Sequence, residues 1–343
     1  MTRVAAIDCG TNTIRLLIAE ADRDQAGRPR LEVLRRRNEI VRLGQGVDRT
    51  GMLDPEALER TLRVVAAYAA DCDELGVAPG EAVRRFVATS ATRDASNRED
   101  FVAGVRRLLG IEPEVVSGQE EARLSFSGSL LGALGAEGAE VQGRAGRVPA
   151  PRLVVDLGGG STELVLGIDE PSAAISLDTG CVRITERFLS SGVTVGAEAA
   201  ARAEVRGLLD DAERVVDLSA PGRLVGLAGT ITTVTAHALG LQDFDPQALN
   251  GAELSPEAVL ASCEAIIHST AEQRASWGYL APGRRDVIAA GALVWSEVVT
   301  RVVERTTAAG RPLERVTTSL YDILDGIALS LVPAQAGPEG DEV

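Results

Sequence analysis

The chain contains no lysine: all 35 of its basic residues are arginine. That absence removes a P-loop lysine, a Schiff-base lysine and a lysine general base. Histidine is scarce, with only His237 and His268. The cysteines are Cys9, Cys72, Cys181 and Cys263, none in a CxxC pair. A zinc site is therefore not expected, and reduced thiols of a cytosolic protein are. No apolar run reaches transmembrane length, and Met1 leads straight into a strand pattern rather than a signal peptide, so a cytoplasmic protein is expected. Positive charge is also in short supply. Against 50 acidic residues the arginines leave a net charge of −15, which argues against nucleic acid or a membrane surface as partner. A polyanionic substrate is still allowed, because a local arginine patch outweighs the global field at short range. What the chain has in quantity is apolar: 45% of 343 residues are hydrophobic, enough for two domains with their own cores.

The densest signal is LVVDLGGGSTELVLGI, from Leu153 to Ile168. Two apolar runs joined by a few residues read as a β-hairpin. Gly158, Gly159 and Gly160 carry no Cβ, so the backbone there can turn tightly and approach another molecule closely. With Ser161 and Thr162 they offer consecutive N–H groups and small hydroxyls, a concave site for a phosphate. Asp156 and Glu163 flank that site. Carboxylates do not help to hold a bare phosphate; they fit a bridging divalent cation or an activated water. A glycine-rich turn without a ligand would look the same in isolation. The unit recurs, however, near the N-terminus as AAIDCGTNTIRLLIA, where Asp8 falls on Asp156, Gly10 on Gly158, Thr13 on Ser161 and Arg15 on Glu163. Thr11 and Asn12 complete this first loop. Such a repeat means two related domains, with two phosphate loops facing each other across a cleft.

Other segments add candidates. Phe86 to Ala88 reads as a strand running into Thr89–Ala95, whose Arg93 could offer a guanidinium to phosphate. Ser117 is a good N-cap with Glu120 at capping-box spacing. Glu121 is not needed for the cap; near a helix start, where the dipole keeps a carboxylate ionised, it could orient or deprotonate water. The corner Ala228-Gly229-Thr230 could hold another ligand group at a helix start. Arg35, Arg36 and Arg37 read as a solvated strand edge or an anion track. Leu134 to Ala150 reads as a flexible connection, Arg285 to Glu304 as a long helix able to join a homodimer, and 333–343 as a disordered tail.

Taken together the motifs DCGTNTIRLL, ATSATRDA, SGQEEARL, DLGGGSTEL and LAGTITT, in this order, resemble the exopolyphosphatase / guanosine pentaphosphate phosphohydrolase (Ppx/GppA) family from Val4 to about Leu331. The terminal segments RRDVIAAGA and SLYDILDGI match as well. The resemblance implies an α/β fold of two actin-like domains with an interdomain cleft, each with a five-stranded sheet. Domains at 1–130 and 131–317 follow, the first completed by a helix at 318–332. It also implies release of the terminal phosphate of inorganic polyphosphate, or of the 5′ γ-phosphate of guanosine pentaphosphate, with Mg²⁺. Glu121 falls on the family's catalytic glutamate, Asp156 and Glu163 on its acidic pair, Thr11 to Arg15 on its first phosphate loop and Arg93 on its phosphate arginine. Asp8 is the further candidate for the metal, and Gly10, Gly158–Gly160, Ser161, Thr162, Gly229 and Thr230 for phosphate. Many long members carry an HD-type helical domain; with only two histidines to build its metal site, this chain is expected to be similar to the short members. The short form suggests short polyphosphates or the nucleotide as substrate. Two rivals share the scaffold: an ATP-dependent small-molecule kinase, and a non-enzymatic actin-like filament or nucleotide-sensing scaffold.

Overall fold

In a computed structural model the described residues are 2–24, 27–140 and 151–333. The first sheet holds β1 (Thr2–Cys9), β2 (Thr13–Arg23), β3 (Pro29–Ile40), β4 (Arg84–Ala88) and β5 (Glu114–Val115). Its order is β3-β2-β1-β4-β5, antiparallel across the first three strands and parallel beyond β1. The helices here are α1 (Val47–Thr50), α2 (Pro55–Glu74), α3 (Ser90–Asp94), α4 (Arg98–Leu109) and α5 (Gly118–Glu140). Helix α2 starts where Asp54 accepts bonds from the Glu56 and Ala57 N–H groups, with Pro55 at the first position. Each choice suits a helix start, the first by filling orphan donors and the second by fixing φ.

The second sheet repeats the plan. It holds β6 (Arg152–Leu157), β7 (Thr162–Gly167), β8 (Pro171–Leu177), β9 (Arg223–Leu227), β10 (Glu253–Leu254) and β11 (Val316–Thr318), in the order β10-β11-β9-β6-β7-β8. The expected five strands gain a sixth, the two-residue β10 on the outer edge. Around it lie α6 (Cys181–Ile184) continued by a π turn (Thr185–Leu189), α7 (Val195–Ala212), α8 (Ala228–Ala238), α9 (Pro246–Leu249), α10 (Pro256–Ile267), α11 (Ala271–Ser276) and α12 (Ile288–Ala308). Strands β6 and β7 are buried on both faces, which explains their unbroken apolar runs. Two equivalent sheets facing a cleft, each with a three-stranded antiparallel meander leading into parallel strands, make the actin-like fold.

Helix α13 (Ile323–Ser330) carries the chain back to the first sheet. Its Ile323, Leu324, Ile327 and Ala328 share a core with Ala6, Leu17, Val87 and Leu124. It crosses α5 at glycine contacts: a Cβ on Gly128 would lie 1.8 Å from the Asp322 carbonyl oxygen, and one on Gly326 2.0 Å from that of Leu124.

Two expectations change. Residues 134–140 belong to α5 rather than to a flexible connection, while 141–150 and the tail at 334–343 lie outside the described residues. The arginines of β3 are spent on ion pairs: Arg35 and Arg37 with Asp71, and Arg36 with Asp325. The solvated-edge reading of those arginines therefore fits better than an anion track.

Candidate active site

The two loops are built alike down to one turn bond. Gly10 N–H donates to the Thr13 carbonyl at 2.9 Å, and Gly158 N–H to the Ser161 carbonyl at 3.0 Å. The carbonyls of both loops are then consumed from behind. Val41 and Arg42 N–H donate to Asn12 O at 3.0 and 2.9 Å, and Gly44 N–H to Thr11 O at 2.8 Å. In the second loop Cys181 N–H donates to Gly158 O at 3.1 Å, and Val182 and Arg183 N–H to Gly159 O at 2.9 and 3.1 Å. The Arg183 guanidinium takes Gly160 O at 2.8 Å. Among the described residues no acceptor meets the N–H groups of Thr11, Asn12, Gly159, Gly160 or Ser161. Loops with satisfied carbonyls and unspent N–H groups present fixed positive partial charge, as an anion requires.

The glycines of the second loop serve a different purpose from the one their sequence suggests. Gly158, Gly159 and Gly160 do not occupy the left-handed region. Instead the opposite loop presses on them: a Cβ on Gly160 would meet Thr11 Oγ1 at 2.6 Å and Ser90 Oγ at 2.8 Å. Thr11 and Ser90 hydroxyls are themselves bonded at 3.0 Å. The close approach is between the two loops.

The carboxylates gather at the base of the hairpins. Asp8 and Arg15 are direct cross-strand partners, as are Asp156 and Glu163. Arg15 donates twice to Asp8 Oδ2, at 2.9 and 2.6 Å, and also to Asp322, the N-cap of α13. Asp156 and Glu163 have no cation of this kind. Ser125 Oγ donates to Asp156 at 2.5 Å and Ser176 Oγ to Glu163 at 2.7 Å. Burial pushes both carboxyls up: Asp156 to about 6, helped by the charges of Asp322 and Asp8, and Glu163 well above the usual range, helped by those of Glu121 and Asp156.

Glu121 sits in the first turn of α5 and is only 7% exposed. Its Oε2 accepts from Arg93 Nη1 at 3.2 Å, while the same nitrogen reaches Val116 O at 3.0 Å. Burial pushes Glu121 up to about 8, against the pull of Arg93. The helix start does not keep it ionised, because desolvation is the larger effect. The capping role falls to the neighbour as expected: Ser117 Oγ accepts from Glu120 N–H, and the Glu120 carboxylate pairs with Arg123.

Sequence reasoning missed several residues here. Ser125 is one turn along α5 from Glu121, a spacing that could have flagged it. Arg284 lies against Gly229, where a Cβ would come within 1.5 Å of its Nη1. It lines a cavity of about 60 Å³ with Asn12, Gly158, Gly159 and Thr230. Its signal was the opening arginine of RRDVIAAGA. Ala228, at the same corner, holds a left-handed φ of 72°, the kind of strain that collects at functional sites. Buried Thr230 completes the corner.

Fold and site together define a phosphoryl-group enzyme of the actin-like superfamily. The chain matches the Ppx/GppA phosphatase family over residues 18–309 and belongs to that family. It is similar to Exopolyphosphatase 2 of Mycobacterium tuberculosis, at 45% identity over 337 residues, covering 96% of this chain and 99% of the relative. The crystal structure of an exopolyphosphatase-like protein superposes with a TM-score of 0.84 at 40% identity, covering 96% of this chain and 97% of that one. The Aquifex aeolicus family member gives 0.71 at 28% identity, with 96% and 97% covered. Among the described residues no helix is long and apolar enough to cross a membrane.

Proposed function

We propose that the protein is an exopolyphosphatase that releases the terminal phosphate of inorganic polyphosphate by in-line attack of water. The observation that carries this reading is the pair of facing loops whose N–H groups are unspent while their carbonyls are bonded. They suit the oxygens of a terminal phosphoryl group, where charge spreads in the transition state. Arg93 and Arg284 approach the same region and add guanidinium charge. Glu121 takes the proton of the attacking water; a buried carboxylate with its pKa near 8 is matched to that task at neutral pH.

Mg²⁺ fits the residues present. Asp156 and Glu163 are hard oxygen donors, opposed in the ladder, buried, and hydrogen-bonded by serine hydroxyls. They would hold the ion, which when bound neutralises phosphoryl charge. Asp8 is the weaker third ligand, since one of its oxygens is committed to Arg15. The Arg15 guanidinium, tied to Asp8 and Asp322, acts on phosphate through charge and through the hairpin it stiffens.

A second reading, 5′-phosphohydrolysis of guanosine pentaphosphate, is favoured by one feature. Beyond Arg284 and Gly229 the cleft widens into a pocket of about 880 Å³ lined by Phe244, Leu320, Tyr321, Asn38 and Asn250. A half-exposed phenylalanine and side-chain amides suit a base, and an inorganic polymer has no use for them. The deciding experiment is phosphate release from short polyphosphate, long polyphosphate and guanosine pentaphosphate, with and without Mg²⁺. Release from polyphosphate that needs Mg²⁺ is expected. No release from any of the three would end both readings.

A further inference from the structure

The segments that hold the two loops from behind are bolted to each other. Residues 41–51, between β3 and α2, carry the donors that take the Thr11 and Asn12 carbonyls. Residues 181–183 carry those that take Gly158 and Gly159. Between these segments Arg183 makes three bonds at once: Nε to Gly160 O at 2.8 Å, Nη1 to Asp48 at 2.5 Å and Nη2 to Asp94 at 2.7 Å. Asp94 adjoins Arg93. Asp48 is also forked by Arg187, through Nε and Nη2 at 2.7 Å each. The Gly46 N–H donates to Glu186 Oε1 at 2.9 Å. At the other end of the same segment Arg42 reaches Asp286 at 2.9 Å and Gly283 O at 3.2 Å, beside Arg284. Arg183 is only 11% exposed and Asp48 20%. A shielded, multiply bonded arginine fixes geometry in a way that an exposed pair does not.

We propose that Arg183 is a positioning residue: it pins residues 41–51 as a strap across the cleft and so couples closure of the two halves to the shape of both phosphate loops. Its guanidinium bonds the second loop, the strap and the Arg93 segment at once. Opening the cleft requires these bonds to break, and re-forming them returns the Gly160 carbonyl, and with it the neighbouring N–H groups, to place. Lysine cannot replace this arginine, since one ammonium does not span three acceptors set around a planar fork.

The inference rests on the phosphatase reading for its kinetic arm alone. Arg183→Lys is expected to lower kcat for polyphosphate by about 100-fold, the effect of roughly 1 Å of misplacement, while KM moves by less than about threefold. Asp48→Asn keeps the shape and is expected to lose about tenfold in kcat, with an unchanged thermal midpoint showing that the fold is intact. Small-angle scattering without substrate should show a larger radius of gyration for Arg183→Met than for the wild type. Wild-type kcat in Arg183→Lys, or an unchanged radius in Arg183→Met, would overturn the proposal. If the wild type releases no phosphate from any substrate, the functional reading fails by itself, and the scattering comparison alone decides whether the strap holds the cleft closed.

Discussion

The two hairpins share strand order, turn bond and loop shape, yet differ at one cross-strand position. In the first, Asp8 faces Arg15; in the second, Asp156 faces Glu163. The first therefore neutralises its own carboxylate and extends the same guanidinium to Asp322. The second sets two buried carboxylates against each other and balances them with two hydroxyls. A duplicated unit has thus been divided by a single charge reversal. One copy carries its own counter-cation as folded, and the other has none paired with it among the described residues. The unspent loop N–H groups are common to both, so the division concerns the charge set beside them.

In the proposed mechanism water activation falls to neither hairpin but to Glu121 beside them. Glu121→Gln should lower kcat by about two to four orders of magnitude with substrate affinity retained, the usual contribution of a general base. A mild effect in phosphate-release kinetics would return that role to Asp156 or Glu163. The hairpins should next respond oppositely to loss of one partner. Arg15→Met strands Asp8 and Asp322 as buried charges and should cost about 3–5 kcal/mol in urea unfolding. Glu163→Gln removes a carboxyl whose ionisation is opposed by burial and by the charges of Glu121 and Asp156, and should raise metal-free stability in urea unfolding. It should also abolish stabilisation by Mg²⁺. Losses of the same sign in both variants would show the two hairpins to be equivalent.

The smallest effect concerns pH. Glu121 must be ionised to act, so kcat/KM should rise with pH towards a plateau above about 8. Arg93 favours the ionised form, so Arg93→Met should shift that rise upward by about one unit, the scale of one neighbouring charge. A profile that does not move would separate Arg93 from Glu121. The sign for stability is the reverse of the common carboxylate case. The folded protein keeps a proton on Glu121 that the unfolded chain gives up near 4.5, so metal-free stability falls as pH rises from there to about 8.

The local parts of this site were legible in the sequence. Alternation and turn residues gave both hairpins, and capping chemistry gave the start of α5. Repetition gave the second sheet from the first. What was not legible depends on distant partners. Arg15 reads as a phosphate ligand until Asp322 arrives from the far end of the chain. Gly160 reads as a turn residue until Thr11 and Ser90 press on it from the other half. Glu121 reads as an ionised helix-start carboxylate until burial reverses the balance. Residues 134–140 look like a linker because glycine and alanine alternate with polar residues there, a pattern in which weak propensity cannot distinguish a helix end from a loop.

Helix α5 has a consequence for how the molecule comes apart. Its Leu124 lies in the core beneath the first sheet, whereas Ala122 and Phe126, on either side of it, lie in the core beneath the second with Val154 and Val165. Glu121 and Ser125 are threaded between them. Neither core is closed without this helix, so the halves cannot melt as independent cooperative units. Calorimetry should record one transition whose van't Hoff and calorimetric enthalpies agree, so that Glu121 sits on the element that makes two sheets a single thermodynamic body.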